Sequence, residues 1–521
     1  MFLDPYFEQV SKSAGIPFDH LKIAVSIFMT YPQAFIFNRL PNNPTIKHMY
    51  SIVLTCGTML WFNRLYEGFA HLMVSAAITY VVTKYYKDKR MPWLNFALLM
   101  AHMSFSHIQR QRLGQLGDEG FDHTGPQMVL LIKLSSFGFN VYDATRPHER
   151  LTEYNKAMAV RQFPSLIEYF GWVLFFGGFI AGPANEYMDY KRFVTMEVFK
   201  DDKGKIVRPS CTRATFYLFV QGVVFMAILA LFAHKFTFFA CLEPSFNDLP
   251  FWKRFLFIQA AAFFARVKYY AVWLLAEGAC VLCGLGFNGY DQKGHAKWNK
   301  VSNIRPWTYE TAESVKVLLE HWNMRTNVWL KNYGERCTAE IVGPIYLRVS
   351  EEKPGFGATI ITFATSALWH GFHPGYYMTF VSGSLVQNVA KKLRRHVRPF
   401  FFTEDLQHPL PTKRFYDLYG YIATQASLNF IASSFLILDF SGSLRVWRSL
   451  YFYPLIGIFL IEGSFAAGLG GYLKKMLKKR AERAGLKLQE TKPREDKVIV
   501  SETGVEVFDE GGVKVGHTKL E

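Results

Sequence analysis

At 521 residues the chain is long enough for several soluble domains, but half of it is apolar, 17% is aromatic and only 19% is charged, against about 25% charged in ordinary soluble domains. That balance argues against a soluble enzyme and for one membrane-embedded body. The formal net charge of +17 suits acidic lipid headgroups or a polyanionic substrate, and with lipid-length apolar runs present it does not point to nucleic acid.

In chain order, residues 1–20 are polar and lack the basic-then-apolar form of a cleavable signal, so the first apolar segment is expected to remain as a span. Spans are predicted near 21–40, 50–64, 69–86, 93–108, 126–143, 165–184, 213–239, 253–287, 356–390, 418–440 and 449–473. Two of them, 253–287 and 356–390, are long enough to hide a break or a second pass, which gives about nine to twelve transmembrane helices. The expected fold class is therefore all-α, a polytopic integral membrane protein with its body over 21–473, an N-terminal segment over 1–20 and a tail over 474–521. Basic loops are too widely spread for the positive-inside rule to place them all on one side. The tail is clearer: Lys474, Lys475, Lys478, Lys479, Arg480, Arg483 and Lys487 stand against one acid, Glu482. This puts the C-terminus in the cytosol, and beyond Gln489 the polar sequence reads as disordered. The six cysteines are scattered, and Cys280 and Cys283 read as packed thiols, since no second pair accompanies their C-x-x-C.

Several stretches have more polar character than a lipid anchor needs. Asp122-His-Thr-Gly-Pro-Gln-Met-Val-Leu opens an apolar helix that carries Lys133, and a buried lysine is costly unless paired. Residues 166–190 hold glycines suited to close helix approach, and Gly182-Pro183 is expected to end that span. Glu277 is a further intramembrane charge, which Arg266 or Lys268 can partner if it does not line a polar cavity. Between 289 and 354 lies the longest polar insertion, punctuated by Trp298, Trp307, Trp322, Trp329 and Tyr333. Read as a helix, 320–337 puts Trp322, Thr326, Trp329 and Tyr333 on one stripe and Asn323 and Asn327 on the next.

The sharpest feature follows. An uncharged run, 357–369, carries His370 into an apolar setting, where an ionisable side chain reads by default as a functional group. Imidazole takes and returns a proton near neutral pH, as general acid-base catalysis requires. Gly371, Pro374 and Gly375 break the helix just beyond it, and broken backbone at membrane depth is tolerated only where protein or a cavity covers it. His373 is the lesser candidate. A metal held by the two histidines is not expected, because no carboxylate or third ligand follows at useful spacing.

With Asp122-His-Thr-Gly-Pro-Gln-Met-Val-Leu, Glu168-Tyr-Phe, Glu277-Gly, Trp322-Asn-Met-Arg-Thr-Asn-Val-Trp-Leu and Ala367-Leu-Trp-His-Gly-Phe-His-Pro-Gly-Tyr in this order, the chain resembles the membrane-bound O-acyltransferases, and among them the fungal lysophospholipid acyltransferases, over roughly residues 20–475. The resemblance implies a multi-helix body around an intramembrane catalytic cavity, entered by acyl-CoA from the cytosol and by a lysophospholipid from the bilayer. It implies His370 as catalytic histidine and Asn323 as its partner, with Asn327, Trp322, Trp369, His373 and Glu277 shaping substrate binding. It further implies acyl-CoA as co-substrate without a resident cofactor, an endoplasmic reticulum membrane and a possible homodimer. Arg325 departs from the small or neutral residue of related members, which bears on headgroup preference. Lys293, Lys297, Lys300, Arg305, Lys331 and Arg336 are expected contacts for the phosphates of CoA. Other acceptors (a sterol, a diacylglycerol or a peptide) and a transporter or scramblase lined by Lys133, Glu277 and His370 are the alternatives; the transporter requires inverted repeats, and none is seen.

Overall fold

The computed structural model describes residues 4–14, 17–113, 122–334, 356–484, 498–501, 504–508 and 514–516. The body is all-α, and its helices gather round two main cores. The first is built by α1 (Phe18–Phe37), α2 (Pro44–Cys56), α3 (Tyr66–Tyr85), α4 (Met91–Arg112), α5 (Thr124–Asp143) and the short α6 (Leu166–Val173). Phe37, Phe137, Tyr169, Trp172 and Phe175 fill it and are fully buried. The chain then runs through α7 (Thr212–Phe232), α8 (Phe251–Cys283) and α9 (Met324–Trp329). It closes with α10 (Phe356–His370), α11 (Pro374–His396), α12 (Lys413–Ile437), α13 (Tyr453–Ala466) and α14 (Leu469–Arg483). The second core collects Ile258 of α8, Val386 of α11 and Phe430 of α12 with Trp447. A smaller cluster around Tyr270, Ile304, Tyr309 and Leu318 joins α8 to the polar insertion.

Among the described residues, two stretches are by themselves long and apolar enough to cross a membrane, Thr212–Leu242, whose regular part is α7, and α8. The pair Phe440–Ser449 and α13 adds a third candidate, bent by 78°. Helices α1, α3, α4, α5, α11 and α12 also have spanning length, 20 to 25 residues. They bury Lys22, Ser75, Asn95, Gln127, Ser384 and Asn429 respectively, and a helix can carry such groups at membrane depth when they face other helices rather than lipid.

One sequence expectation changes and two that stood open resolve. Residues 165–184 do not make one continuous span, because α6 ends at Val173 and the chain beyond it turns into the core with Phe175, Phe176 and Phe179 buried. A Cβ on Gly178 would stand 2.8 Å from the carbonyl oxygen of Pro183, so glycine lets the segment fold back on itself. The end of α6 is closed from outside: Lys133 Nζ donates to the carbonyls of Trp172 (2.8 Å) and Val173 (3.2 Å), partners that a helix terminus otherwise lacks. Residues 253–287 hide no break. Helix α8 runs 33 residues and stops at Gly284, whose φ of 107° suits glycine and whose N–H bonds the carbonyls of Cys280 and Val281. The 356–390 run is two helices, α10 and α11, parted at Gly371.

In the tail, three strands, β1 (Val498–Ser501), β2 (Gly504–Phe508) and β3 (Lys514–Gly516), form an antiparallel sheet in the order β1-β2-β3. Val498 faces Val507 and Val500 faces Val505, so alternating valines pair within sequence that its polarity assigns to disorder.

Helix α11 is set against α12 at a close crossing: Gly375 N–H donates to the Leu438 carbonyl at 2.8 Å. A Cβ at Gly375 would lie 2.1 Å from the Ser434 carbonyl oxygen and 2.8 Å from Leu438 Cα. Gly375→Ala is therefore predicted to push α11 off α12 at a cost of about 1–3 kcal/mol, lowering the thermal midpoint of the detergent-solubilised protein by several degrees. A midpoint equal to wild type would contradict the tight crossing.

Candidate active site

His370 is the last residue of α10, and the backbone beyond it leaves the helix because Gly371 takes a φ of 127°. The Gly371 N–H still bonds the carbonyls of Ala367 and Leu368, which closes the helix neatly under the imidazole. A side chain on Gly371 would touch the ring of His107 at 3.4 Å and Tyr376 at 3.5 Å. Pro374 restarts the chain as α11 at a position where its missing N–H costs nothing. The imidazole sits among four rings, Trp369 (4.8 Å), Phe435 (4.9 Å), Phe380 (5.2 Å) and Tyr376 (5.5 Å). His107 Nε2 binds the Trp369 carbonyl at 3.2 Å. Trp369 is buried, packs 6.3 Å from Trp329, and its indole N–H has no partner among the described residues. His373 stands at the head of α11, half-buried beside Tyr376 at 6.1 Å.

The second half of the site comes from the polar insertion. The helix expected over 320–337 is shorter: α9 begins only at Met324, and Asn323 before it lies in the left-handed region at φ 45°, ψ 52°. Asparagine tolerates that conformation better than most residues. Its side chain makes no capping bond to α9. Asn323 and Asn327 thus do not share a helical stripe. The Asn327 amide donates back to the carbonyls of Leu319 and Trp322 (3.0 Å), and it holds the turn in which Asn323 sits. Trp322 packs into an aromatic cluster, 5.2 Å from Trp273 and 5.6 Å from Tyr269 on α8 and 5.2 Å from Tyr309 of the insertion.

Glu277, 1% exposed, is the anchor of this loop. It accepts from Ser302 Oγ (2.5 Å), Asn303 N (3.4 Å) and Arg305 (3.3 Å). Asn303 in turn accepts from the backbone N–H groups of Met324 (2.9 Å) and Arg325 (3.1 Å), the two residues after Asn323. Arg266 does not partner Glu277. Eleven residues apart on one helix, the two lie about 16 Å apart along the axis, and Arg266 instead grips Glu310 with both arms at 2.8 and 2.9 Å. Arg325, expected to bear on headgroup choice, is spent inside the protein on the carbonyls of Ala184 (3.0 Å) and Lys300 (3.3 Å).

Among the described residues, no hydrogen bond or ring contact joins Asn323 and His370 directly. They converge through their neighbours: Trp329 meets Trp369, and Tyr376 lies within electrostatic reach of Tyr269, which packs on Trp322. Of the cations expected at CoA phosphates, Lys300 pairs with Asp189 at 3.2 Å and Arg305 with Glu277. Lys293 and Lys331 are exposed, and Arg336 lies outside the described residues. Sequence reasoning missed His107, Tyr376 and Phe435. His107 carried a usable signal, an intramembrane histidine inside the 93–108 span; the two rings did not, since aromatic residues abound in this chain.

Comparison with known proteins identifies relatives of the whole chain. The model of MBOAT, membrane-bound O-acyltransferase family, matches residues 115–433. A lysophospholipid acyltransferase of Schizosaccharomyces pombe is 37% identical over 94% of this chain and 94% of its own length. A lysophospholipid acyltransferase of Saccharomyces cerevisiae is 35% identical over 91% of this chain and 78% of its own. A membrane-bound glycerophospholipid O-acyltransferase 2 of Mus musculus is 29% identical over 85% and 84%.

Because Glu277 ties the 302–305 segment to α8, Glu277→Ala leaves a half-buried arginine without its partner, a change worth about 3 kcal/mol. Amide exchange across 302–305 and 323–325 is predicted to accelerate about hundredfold in that variant. Unchanged exchange would show that the loop is held by other means.

Proposed function

This chain belongs to the membrane-bound O-acyltransferase family, and we propose that it transfers an acyl chain from acyl-CoA to the free hydroxyl of a lysophospholipid, with His370 as general base and Asn323 as the group that positions the reactants. The observation that supports this is that both residues stand at helix interruptions, His370 at the end of α10 and Asn323 before α9 with a side chain that does not cap it. The relatives named as lysophospholipid acyltransferases support the acceptor.

His370 takes the proton of the lysophospholipid hydroxyl as its oxygen attacks the thioester carbon. The carbon–sulfur bond breaks, CoA leaves as thiolate, and the imidazolium returns the proton to sulfur. Asn323 donates its amide N–H to the thioester oxygen or holds the hydroxyl. No acyl-enzyme is needed, because the base acts on the acceptor itself. Asn327 and Glu277 act through the backbone, by fixing the turn that carries Asn323. Trp369 and Trp322 wall the space between, and His373 lines the headgroup side. Acyl-CoA enters from the cytosol, the C-terminus lies on that side, the membrane is that of the endoplasmic reticulum, and the protein is a possible homodimer. The product is a diacyl phospholipid, which places the enzyme in phospholipid synthesis and remodelling.

In membranes with matched expression, His370→Ala is predicted to lose at least about 10²-fold in transfer of labelled oleoyl-CoA to lysophosphatidylcholine. Asn323→Ala loses a comparable factor with little change in extractable folded protein. Wild-type activity in His370→Ala would remove His370 as the base, and no transfer by wild type to any lysophospholipid would refute the acceptor class.

A further inference from the structure

A second polar constellation lies next to His370 and plays no part in the proton transfer described above. One helical turn along α4 from His107, about 4.5 Å up the axis, Arg110 pairs with Asp122 and reaches Thr124 Oγ1 at 3.4 Å. Asp122 is built in place: its Oδ1 accepts from Thr124 N (2.8 Å) and Thr124 Oγ1 (2.6 Å). The pair is neither sealed nor fully wet, with side-chain exposures of 24% and 32%. Around it stand His123, stacked on His71 at 5.2 Å, His107 against Gly371, and His373 beside Tyr376. Arg110 acts electrostatically on His107, His123, His373 and Tyr376, which places it within this group. Among the described residues the Nε2 of His123 is buried without a partner, and so are both amide atoms of Gln127, one turn further along α5. Buried polar atoms in a folded protein are nearly always satisfied, so such a group calls for an explanation.

The chemistry of the acceptor supplies one. In a lysophospholipid with a free central hydroxyl, the phosphorus is four bonds from the reacting oxygen, so a phosphate site has to lie beside the base. A choline or ethanolamine headgroup adds a cation a few bonds further out. An arginine and an aspartate side by side offer the complementary charges in the complementary order. We propose that the Arg110–Asp122 pair is the headgroup subsite for the acyl acceptor, with Arg110 facing the phosphate and Asp122 the ammonium of a zwitterionic phospholipid, and with the His123 ring nitrogen as a further phosphate contact. The subsite rests on the acyl-transfer reading above. It selects acceptors whose headgroup carries both signs, and it gives the Asp122-His-Thr-Gly-Pro-Gln stretch a role in recognition rather than in packing alone.

The test uses full-length protein in nanodiscs and measures KM for lysophosphatidylcholine, lysophosphatidylethanolamine and lysophosphatidic acid, with KM for acyl-CoA alongside. Arg110→Gln is expected to raise KM at least tenfold for all three acceptors while acyl-CoA stays within twofold. Asp122→Asn is expected to raise KM at least tenfold for the two zwitterionic acceptors and to leave or improve lysophosphatidic acid. Glycerophosphocholine, the headgroup without its chain, should compete with acceptor in wild type and not in Arg110→Gln. Because either single variant can disturb folding, Arg110→Lys serves as the control: it keeps the ion pair and leaves Asp122 accepting from Thr124, so its thermal midpoint should match wild type while loss of the guanidinium fork raises its KM for lysophosphatidylcholine. Equal effects of both single variants on every acceptor, or a matching rise in KM for acyl-CoA, would overturn the subsite. Wild type failing on all three acceptors would overturn the acyl-transfer reading instead.

Discussion

Helix α8 carries Arg266 and Glu277 on one face, and each is met by the opposite charge from the segment that leads to Asn323. Arg266 grips Glu310 through two bonds, with Tyr270 OH adding a third at 2.5 Å to the same carboxylate. Glu277 receives Ser302 and Arg305. In an apolar environment a buried charge left alone is far more costly than a pair, so this reciprocal clamp has little freedom to slide. The register between α8 and the loop is thereby set to within a side chain, and Asn303 passes it on to the backbone just after Asn323. Asn429 of α12 extends the clamp, accepting from Arg266 at 2.6 Å and donating to Gln259 at 2.8 Å. The amide, the long helix and the second bundle are therefore one polar unit.

His370 reaches the same region by a different device. Trp369 belongs to the first core and Val386, on the next helix, to the second. The chain crosses between the two cores at Gly371, the point where it leaves helical geometry. An interruption in the hydrocarbon region needs cover for its freed backbone groups, and here the Gly371 and Gly375 N–H groups find carbonyls on α10 and beyond α12. The seam that a two-core protein must contain is thus where His370 stands, and it is there that the proposed reaction is placed.

How much of this could be read from the residues divides along local and long-range lines. Apolar run length located the body, and Gly371 with Pro374 announced the break beside His370. The choice of Asn323 over Asn327 came from the family pattern. A helical reading put both amides on one stripe and missed that Asn323 sits at a left-handed turn and that Asn327 serves the backbone behind it. The partners of Glu277, Arg266 and Arg325 were not legible, since each lies on a distant segment and helical spacing says nothing about it. The 165–184 segment misled for the opposite reason: its apolarity is that of a buried coil whose helix is closed by Lys133, and hydropathy does not distinguish core from lipid.

The central claim is that an imidazole and an amide, brought to one seam from separate bundles, act on two substrates held together. Initial-rate kinetics with oleoyl-CoA and lysophosphatidylcholine varied independently test it most directly. Direct attack requires both to be bound at once, so reciprocal plots should intersect, and denatured enzyme recovered after a single turnover should carry no labelled acyl group. Parallel plots with a stable acyl-protein adduct would contradict it.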